Sequence, residues 1–560
     1  MVTMRDGVHL SVDIYAPKSS ETLPGILSIT PYSNTLQLFQ DEARWYAARG
    51  YVVVMADSRG RYDSEGTWNP FDARHKADGY DLVEWIAKQT WSNGKVGMIG
   101  MSYQAVTQWW TASMAPPHLA VIVPQVSPPD WFYNVPYQDG ALTGWFFCWS
   151  AWMSGRTMQP IDIEKFGGLS ALLKHTPYID IRSILGMESA PWFDEIYEQN
   201  KASDPYWKGT FVQNQQSYSN VRVPSLAFSG WFDVNHPGTP MNYLGMKKYG
   251  STPDARLTRM IIGPWVHHIN TRVVGGIDYG PDAVIDVRGY TTRWLDRFLK
   301  GIDNGAERDP PVHVFVMGEN KWHSEQDWPL PEATPTDYFL VSGGHANSLK
   351  GDGLLSTDPP QHVGSDTYVY DPHKPTLDPF DSAVYENHGA LDTRLSAIGD
   401  EVLVYQTSPL TSPVEVTGPV EATLYAATSA RDTDWMMRLV DVLPDGRSLL
   451  LTEGVVRARS RDPANEGRFS ASQLSVVESG KVYKYIIQFW RGTANLFQRG
   501  HRIRVELSSS WYPYYAPNLN TGADNLATVR MSDAVVARQV IYHAPDYPSH
   551  ISLPIVHRSQ

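Results

Sequence analysis

Gly100-Met101-Ser102-Tyr103-Gln104-Ala105 stands between a stretch that reads as a strand and one that reads as a helix. Ahead of it, Lys95-Val96-Gly97-Met98-Ile99 is short, apolar and punctuated by glycine. Behind it, Tyr103 to Met114 contains neither Gly nor Pro, the pattern of a helix. A serine on so sharp a strand-to-helix turn has its hydroxyl lifted off the sheet. The amide of the following residue faces the same point and can stabilise an oxyanion there. By itself the motif is equally compatible with an ordinary surface turn. Gly-x-Ser recurs by chance, and Gln104 holds the place where a second glycine is usual.

Around this turn the first third of the chain alternates in type. Leu10 to Tyr15, Gly25 to Thr30 and Tyr51 to Ala56 read as strands, and Gly79 to Gln89 carries Leu82, Trp85 and Ile86 at helical spacing. Such alternation predicts an α/β domain with a mostly parallel sheet. From about Asp130 to Gln215 the apolar residues become helix-spaced, as in Leu169, Leu172 and Leu173, which predicts a helical insertion. The strand pattern returns at Val223 to Phe228 and Arg259 to Gly263, and Tyr290 to Leu299 reads as a helix. Beyond roughly Pro331 the chain reads as all β. Ile503, Val505 and Leu507 alternate with Arg502, Arg504 and Glu506, the signature of a half-buried strand. Val420 to Ala426 and Val482 to Trp490 read likewise, so a sandwich or jelly roll is expected.

At 560 residues, 42% hydrophobic and 19% charged, the chain has the length of several globular domains. A net charge of −13 disfavours a nucleic-acid partner. The single cysteine, Cys148 in Trp145-Phe146-Phe147-Cys148-Trp149, can form no internal disulfide. It reads as a buried, inert thiol. No stretch is long and apolar enough to span a membrane. A cytoplasmic enzyme without membrane association is the expectation, with a removed signal peptide left open.

A serine nucleophile needs a base, and the base needs an orienting acid. In α/β hydrolases these follow in the order Ser, Asp or Glu, His, on loops after later strands. Ser229-Gly230-Trp231-Phe232-Asp233 follows one returning strand, and Gly263-Pro264-Trp265-Val266-His267-His268 follows the next. The candidate acid is therefore Asp233, and the base is one of the two histidines. Asp57, upstream of the serine, fits this order poorly and is expected to pair with an arginine. Asp233, His236, His267 and His268 lack metal-ligand spacing, so neither metal nor cofactor is expected.

These motifs resemble those of the bacterial serine hydrolases that include cocaine esterase, α-amino-acid ester hydrolases and X-prolyl dipeptidyl peptidases. The cocaine-esterase branch looks closest. The family's Gly-x-Ser-Tyr-x-Gly stands here as Gly100 to Ala105, with Ala105 in place of the last glycine. Asp57-Ser58-Arg59-Gly60, Ser64-Glu65-Gly66, Gly230-Trp231-Phe232-Asp233 and Pro264-Trp265-Val266-His267 match further signatures. So do Pro413-Val414-Glu415-Val416-Thr417-Gly418 and Gly500-His501-Arg502-Ile503, so the likeness extends over nearly the whole chain. The resemblance selects His267 as the base. It implies an α/β-hydrolase domain over 1–129 and 216–329, a helical cap over 130–215 and a C-terminal all-β jelly roll over 330–560. It also implies an oxyanion hole formed by the backbone N–H of Tyr103 and the hydroxyl of Tyr32.

Family members that bind a free α-amino group use acidic residues near the acyl pocket. Asp278, Asp282 and Asp286 do not match such a cluster. Trp145, Trp149 and Trp152 instead stand at i, i+4 and i+7, one face of a helix. A stripe of this kind serves core packing more often than ligand binding, but in the resembling esterases an aromatic cap segment contributes to the acyl pocket. With Trp131 and Phe232 these are the candidate pocket residues. The expected activity is hydrolysis of carboxylic esters with an apolar or aromatic acyl group through an acyl-enzyme. The alternative is an amidase, peptidase or acyltransferase using the same residues. The expected partner is a small-molecule ester or amide, with a homo-oligomer allowed.

Overall fold

The computed structural model describes residues 1–198, 201–379, 389–472 and 474–558. Among the described residues, nine strands form the sheet of the first part: β1 (Val12–Tyr15), β2 (Leu23–Thr30), β3 (Val52–Asp57), β4 (Ser92–Met101), β5 (Leu119–Gln125), β6 (Ser225–Gly230), β7 (Thr258–Gly263), β8 (Val312–Val316) and β9 (Lys321–Glu325). Their order is β9-β8-β7-β6-β5-β4-β2-β3-β1. Pairing is parallel throughout except at the two edges, where β1 on β3 and β9 on β8 are antiparallel. Parallel strands are covered on both faces and so read as continuous apolar runs; every residue of β3 and β6 is buried. Val53 and Met55 pack with Phe39 and Tyr46 of the helix Gln37–Ala47. Val54 and Ala56 face the opposite core, with the helices Arg74–Ala87 and Tyr103–Ser113. The helix expected near Tyr290 runs from Val287 to Leu295 and continues as a π-helical turn, Asp296–Lys300.

Between β5 and β6 the chain forms a short hairpin, Tyr137–Gln138 with Ala141–Leu142, then a series of short helices from Trp145–Trp152 to Gln215–Asn220. The last of these runs past the expected boundary at 215. The helix Trp145–Trp152 departs from a one-faced aromatic stripe. Every residue in it is buried except Trp152, which is half-buried. Phe147, off the stripe, stacks on Tyr197 at 5.7 Å, so the helix has packing partners on several sides. Cys148 lies inside it, and burial pushes its thiol up to about 12.

Among the described residues, the C-terminal part holds a twelve-stranded sheet. Its last strand, His550–Val556, pairs with Thr334–Val341 on one side and with Val414–Thr428 on the other, which closes the sheet on itself. The strand Arg502–Ser508 is buried on both faces, against expectation: Arg504 and Glu506 are 7% and 0% exposed. It lies between Leu403–Gln406 and Asp434–Val442. Its polar face is paired rather than solvated. Thr393 Oγ1 donates to Glu506 over 2.9 Å, and Arg504 Nη1 donates to Ser448 Oγ over 2.8 Å.

The two parts are clasped at the hairpin that precedes the helix Trp145–Trp152. Gly144 N–H donates to the Tyr514 carbonyl and Ala516 N–H to the Leu142 carbonyl, each over 2.8 Å. The Tyr515 hydroxyl donates to Gln138 Oε1 over 2.6 Å. No helix among the described residues is long and apolar enough to cross a membrane.

Candidate active site

Ser102 occupies the turn between β4 and the helix Tyr103–Ser113 with φ 59° and ψ −122°. A non-glycine residue with positive φ carries strain of about 1–3 kcal/mol, held in place by its surroundings. Here Ser102 N–H donates to the Gln125 carbonyl at the end of β5 over 2.9 Å, and its side chain forms no capping bond to the helix. Gly100 has φ +133°, and a Cβ at that position would lie 2.6 Å from Gln104 Cβ. Gln104 buttresses the turn from the usual glycine position. Its carboxamide accepts from Met101 N–H at 3.3 Å and donates to Ser28 Oγ at 3.0 Å.

Asp233 and His267 follow β6 and β7, adjacent strands of the sheet. His267 Nδ1 and Asp233 Oδ1 are 2.8 Å apart, and both side chains are buried. The loops that carry them are tied together, because Phe232 N–H donates to the Trp265 carbonyl over 2.9 Å. Gly230 permits this approach; a Cβ there would sit 2.1 Å from that carbonyl oxygen. Asp233 Oδ1 also accepts from Asn235 N–H at 3.1 Å, while Ser229 Oγ lies 3.5 Å from Oδ2. His236, whose Nδ1 is 3.1 Å from Ser229 Oγ, backs the acid from behind. Burial drives its imidazole down to about 4. His268 is exposed. Among the described residues no three His, Cys, Asp or Glu side chains come together as a metal site.

Ser102 opens onto a small cavity whose walls include Tyr32, Tyr103, Trp131, Trp145 and Trp149. The structure thus gathers three of the five candidate pocket residues beside the serine. Trp152 and Phe232 are not among the lining residues. Trp152 ends its helix half-buried, and Phe232 packs 6.4 Å from Tyr279 in the core shared with the C-terminal sheet. Phe146 and Asn235, which the sequence reading missed, also line the cavity. Asn235 was traceable, lying two residues past Asp233. The Tyr103 hydroxyl donates to the Pro70 carbonyl over 2.8 Å, so its side chain is committed to the core, and its backbone N–H lies in the first turn of the helix beside Ser102. Asp278 instead pairs with Arg272 at the surface, and Asp286 caps a helix by accepting from Gly289 N–H.

Among the described residues Asp57 forms no ion pair with an arginine, against expectation. Its Oδ1 accepts from Asn34 N–H at 2.7 Å, and among the described residues its buried Oδ2 has no partner in hydrogen-bonding geometry. Burial pushes the carboxyl up to about 6. The neighbouring arginines are engaged elsewhere. Arg59 pairs with Asp78 and Asp6. Arg61 donates to the carbonyls of Pro31 and Gly155, which links the loop of Tyr32 to the end of the tryptophan helix.

Residues 6–269 match the X-Pro dipeptidyl-peptidase (S15) family, and residues 304–552 match the X-Pro dipeptidyl-peptidase C-terminal non-catalytic domain. The chain is 34% identical to cocaine esterase of a Rhodococcus species, over 100% of this chain and 98% of that protein. It superposes on a structure of α-amino acid ester hydrolase with a TM-score of 0.85 and 27% identity, covering 99% of this chain and 95% of that one. A second solved structure, an aminopeptidase from a marine-sediment Thaumarchaeota archaeon, gives a TM-score of 0.83 and 26% identity, covering 100% and 96%.

Proposed function

Because the chain belongs to the serine hydrolase family that includes cocaine esterase, α-amino-acid ester hydrolases and X-prolyl dipeptidyl peptidases, we propose that it hydrolyses carboxylic esters with an apolar or aromatic acyl group. Ser102 is the nucleophile, His267 the base and Asp233 the residue that orients it. One observation carries this reading. A serine held at φ 59° on a strand-to-helix turn after β4 lies at the same carboxyl end of the parallel strands as a buried Asp–His pair 2.8 Å apart on the loops after β6 and β7.

The chemistry follows from these positions. The contact to Asp233 holds the proton on His267 Nδ1 and leaves Nε2 to accept the Ser102 proton as Oγ attacks the ester carbonyl. The carbonyl oxygen gains negative charge, which Tyr103 N–H and the Tyr32 hydroxyl stabilise. As the tetrahedral adduct collapses, His267 returns the proton to the departing alcohol, leaving an acyl-Ser102. Water repeats the sequence and releases the acid. The walls Trp131, Trp145, Phe146 and Trp149 favour an apolar acyl group, aromatic above all. In this reading the helical run through Asn220 caps the serine, and the closed C-terminal sheet is a jelly roll with a structural role.

The peptidase relatives favour a second reading, amide or peptide hydrolysis at the same residues. A leaving amine demands protonation at expulsion, so matched substrates separate the two. A panel of p-nitrophenyl esters and p-nitroanilides of graded acyl size, with Xaa-Pro anilides included, tests both. Faster turnover of aromatic-acyl esters supports the proposal; faster turnover of the anilides overturns it in favour of the amidase.

A further inference from the structure

A larger cavity, of about 170 Å³, lies away from Ser102 between the helix Val287–Leu295 and the sheet. Leu226, Arg259, Ile261 and His313 share the face of β6, β7 and β8 that forms its floor; Leu226 stands opposite Arg259, and Ile261 opposite His313. Tyr290, Arg293 and Trp294 close it from the helix. Pro310 and Ser324, both exposed, stand at its mouth. A cavity of about 150 Å³ accommodates benzene, so this one has room for a single aromatic ring or a branched aliphatic group.

Its charges are unequally compensated. Arg293 pairs with Asp309, which also lines the cavity, and so cancels it. Arg259 is half-buried and forms no ion pair among the described residues. Its Nη1 donates to the Thr258 carbonyl over 3.1 Å and its Nη2 to the Glu307 carbonyl over 2.7 Å. Its Nε is buried and has no hydrogen-bond partner among the described residues. Glu307 gives its carboxylate to Arg297 and Arg308 instead. His313 stacks on Trp322 with ring centres 4.7 Å apart and lies 3.1 Å from Ser324 Oγ; burial lowers its pKa, which keeps it neutral. The lining therefore carries one net positive charge beside apolar and aromatic walls, with Arg259 in the field of Asp309 and Glu307 but in no ion pair with either among the described residues. A guanidinium whose Nη groups meet only backbone carbonyls keeps its charge for an anionic oxygen.

We propose that this cavity binds a small organic carboxylate with an apolar or aromatic body, its carboxylate on Arg259 and its body between Trp294, Leu226 and Ile261. The inference does not rest on the proposed reaction, since none of these residues borders Ser102. A ligand of benzoate size making one charged contact binds in roughly the millimolar range.

Benzoate titrated into the full-length protein, followed by tryptophan fluorescence and calorimetry, tests the site. The expected result is a saturable response to benzoate and a much weaker one to benzamide or inorganic phosphate. Arg259→Gln is expected to weaken the benzoate response by at least about tenfold, because a charged hydrogen bond is removed. Arg259→Lys, which keeps the charge, should retain part of it and guards against misfolding of the first variant. Leu226→Phe, which fills the cavity, should abolish it. Benzoate binding unchanged in Arg259→Gln and Leu226→Phe would place the ligand elsewhere and overturn the proposal. So would equal binding of benzamide, or no saturable response up to about 20 mM.

Discussion

Trp149 donates its indole N–H to the hydroxyl oxygen of Tyr32 across 3.4 Å. The contact joins a loop that follows β2 to the helix that walls the cavity, and it orients the phenol beside Ser102. Losing one oxyanion donor typically costs about 10²–10³ in kcat. Tyr32→Phe keeps the ring and should lower kcat by that order while changing KM far less. Trp149→Phe removes the N–H together with part of the ring and should cost less kcat than Tyr32→Phe. Steady-state kinetics of both variants on one p-nitrophenyl ester check this. A Tyr32→Phe enzyme within a few-fold of wild type would put the second donor elsewhere.

Ser102→Ala should abolish labelling by a fluorophosphonate and reduce turnover by several orders of magnitude, as removal of a triad member does. His267→Ala should approach the same loss. His268, exposed on the neighbouring position, should tolerate alanine with less than about a tenfold change. The reverse ranking of the two histidines would reassign the base.

Asp57 gives stability a particular dependence on pH. Burial raises its carboxyl from the usual 3.8 to about 6. Over that interval the folded chain holds more proton than the unfolded chain, so this residue's contribution to stability falls as pH rises from about 4 to 6 and is level above. Asp57→Asn keeps an acceptor for Asn34 N–H and carries no charge. Its Tm relative to wild type should therefore be higher at pH 8 than at pH 4.5. A Tm difference that is the same at both values, read by calorimetry, would show that the charge on Asp57 does not matter.

Cys148 should be silent toward thiol reagents in the native protein. It is buried, and its thiol is pushed up to about 12, so both access and thiolate are lacking. Ellman's reagent should report no reactive thiol in buffer and one after denaturation. Prompt modification of the native enzyme would contradict the buried placement.

The fold was legible where local pattern and tertiary context agree. The runs that became β2, β3, β4, β6 and β7 are apolar because both faces of a parallel sheet are covered, and the turn at Ser102 was bounded by a strand and a helix of clear type; β5 (Leu119–Gln125) was not read from the sequence. The pattern misled where tertiary packing overrode it. Arg502 to Ser508 alternates like a half-buried strand, yet Arg504 and Glu506 are buried because their neighbours supply polar partners, and no periodicity encodes a partner distant in sequence. Asp57 failed for the same reason, as the arginines near it in sequence find carboxylates or carbonyls elsewhere in space. Trp152 and Phe232 show the limit of spacing. It reports which residues share a helix face or a loop, and the cavity is decided by which of them the chain turns toward the serine.

The clasp between the hairpin Tyr137–Leu142 and the segment Tyr514–Ala516 ties the C-terminal part of the chain to a wall of the cavity beside Ser102. The tryptophan helix that walls the cavity is anchored at its start to a backbone carbonyl of the other part of the chain. Grafting the C-terminal part of a relative onto this N-terminal part would therefore shift substrate preference without altering any residue that meets the substrate. For directed evolution, the two parts are one inheritable unit: libraries confined to the walls of the cavity leave out the anchor that holds one of those walls.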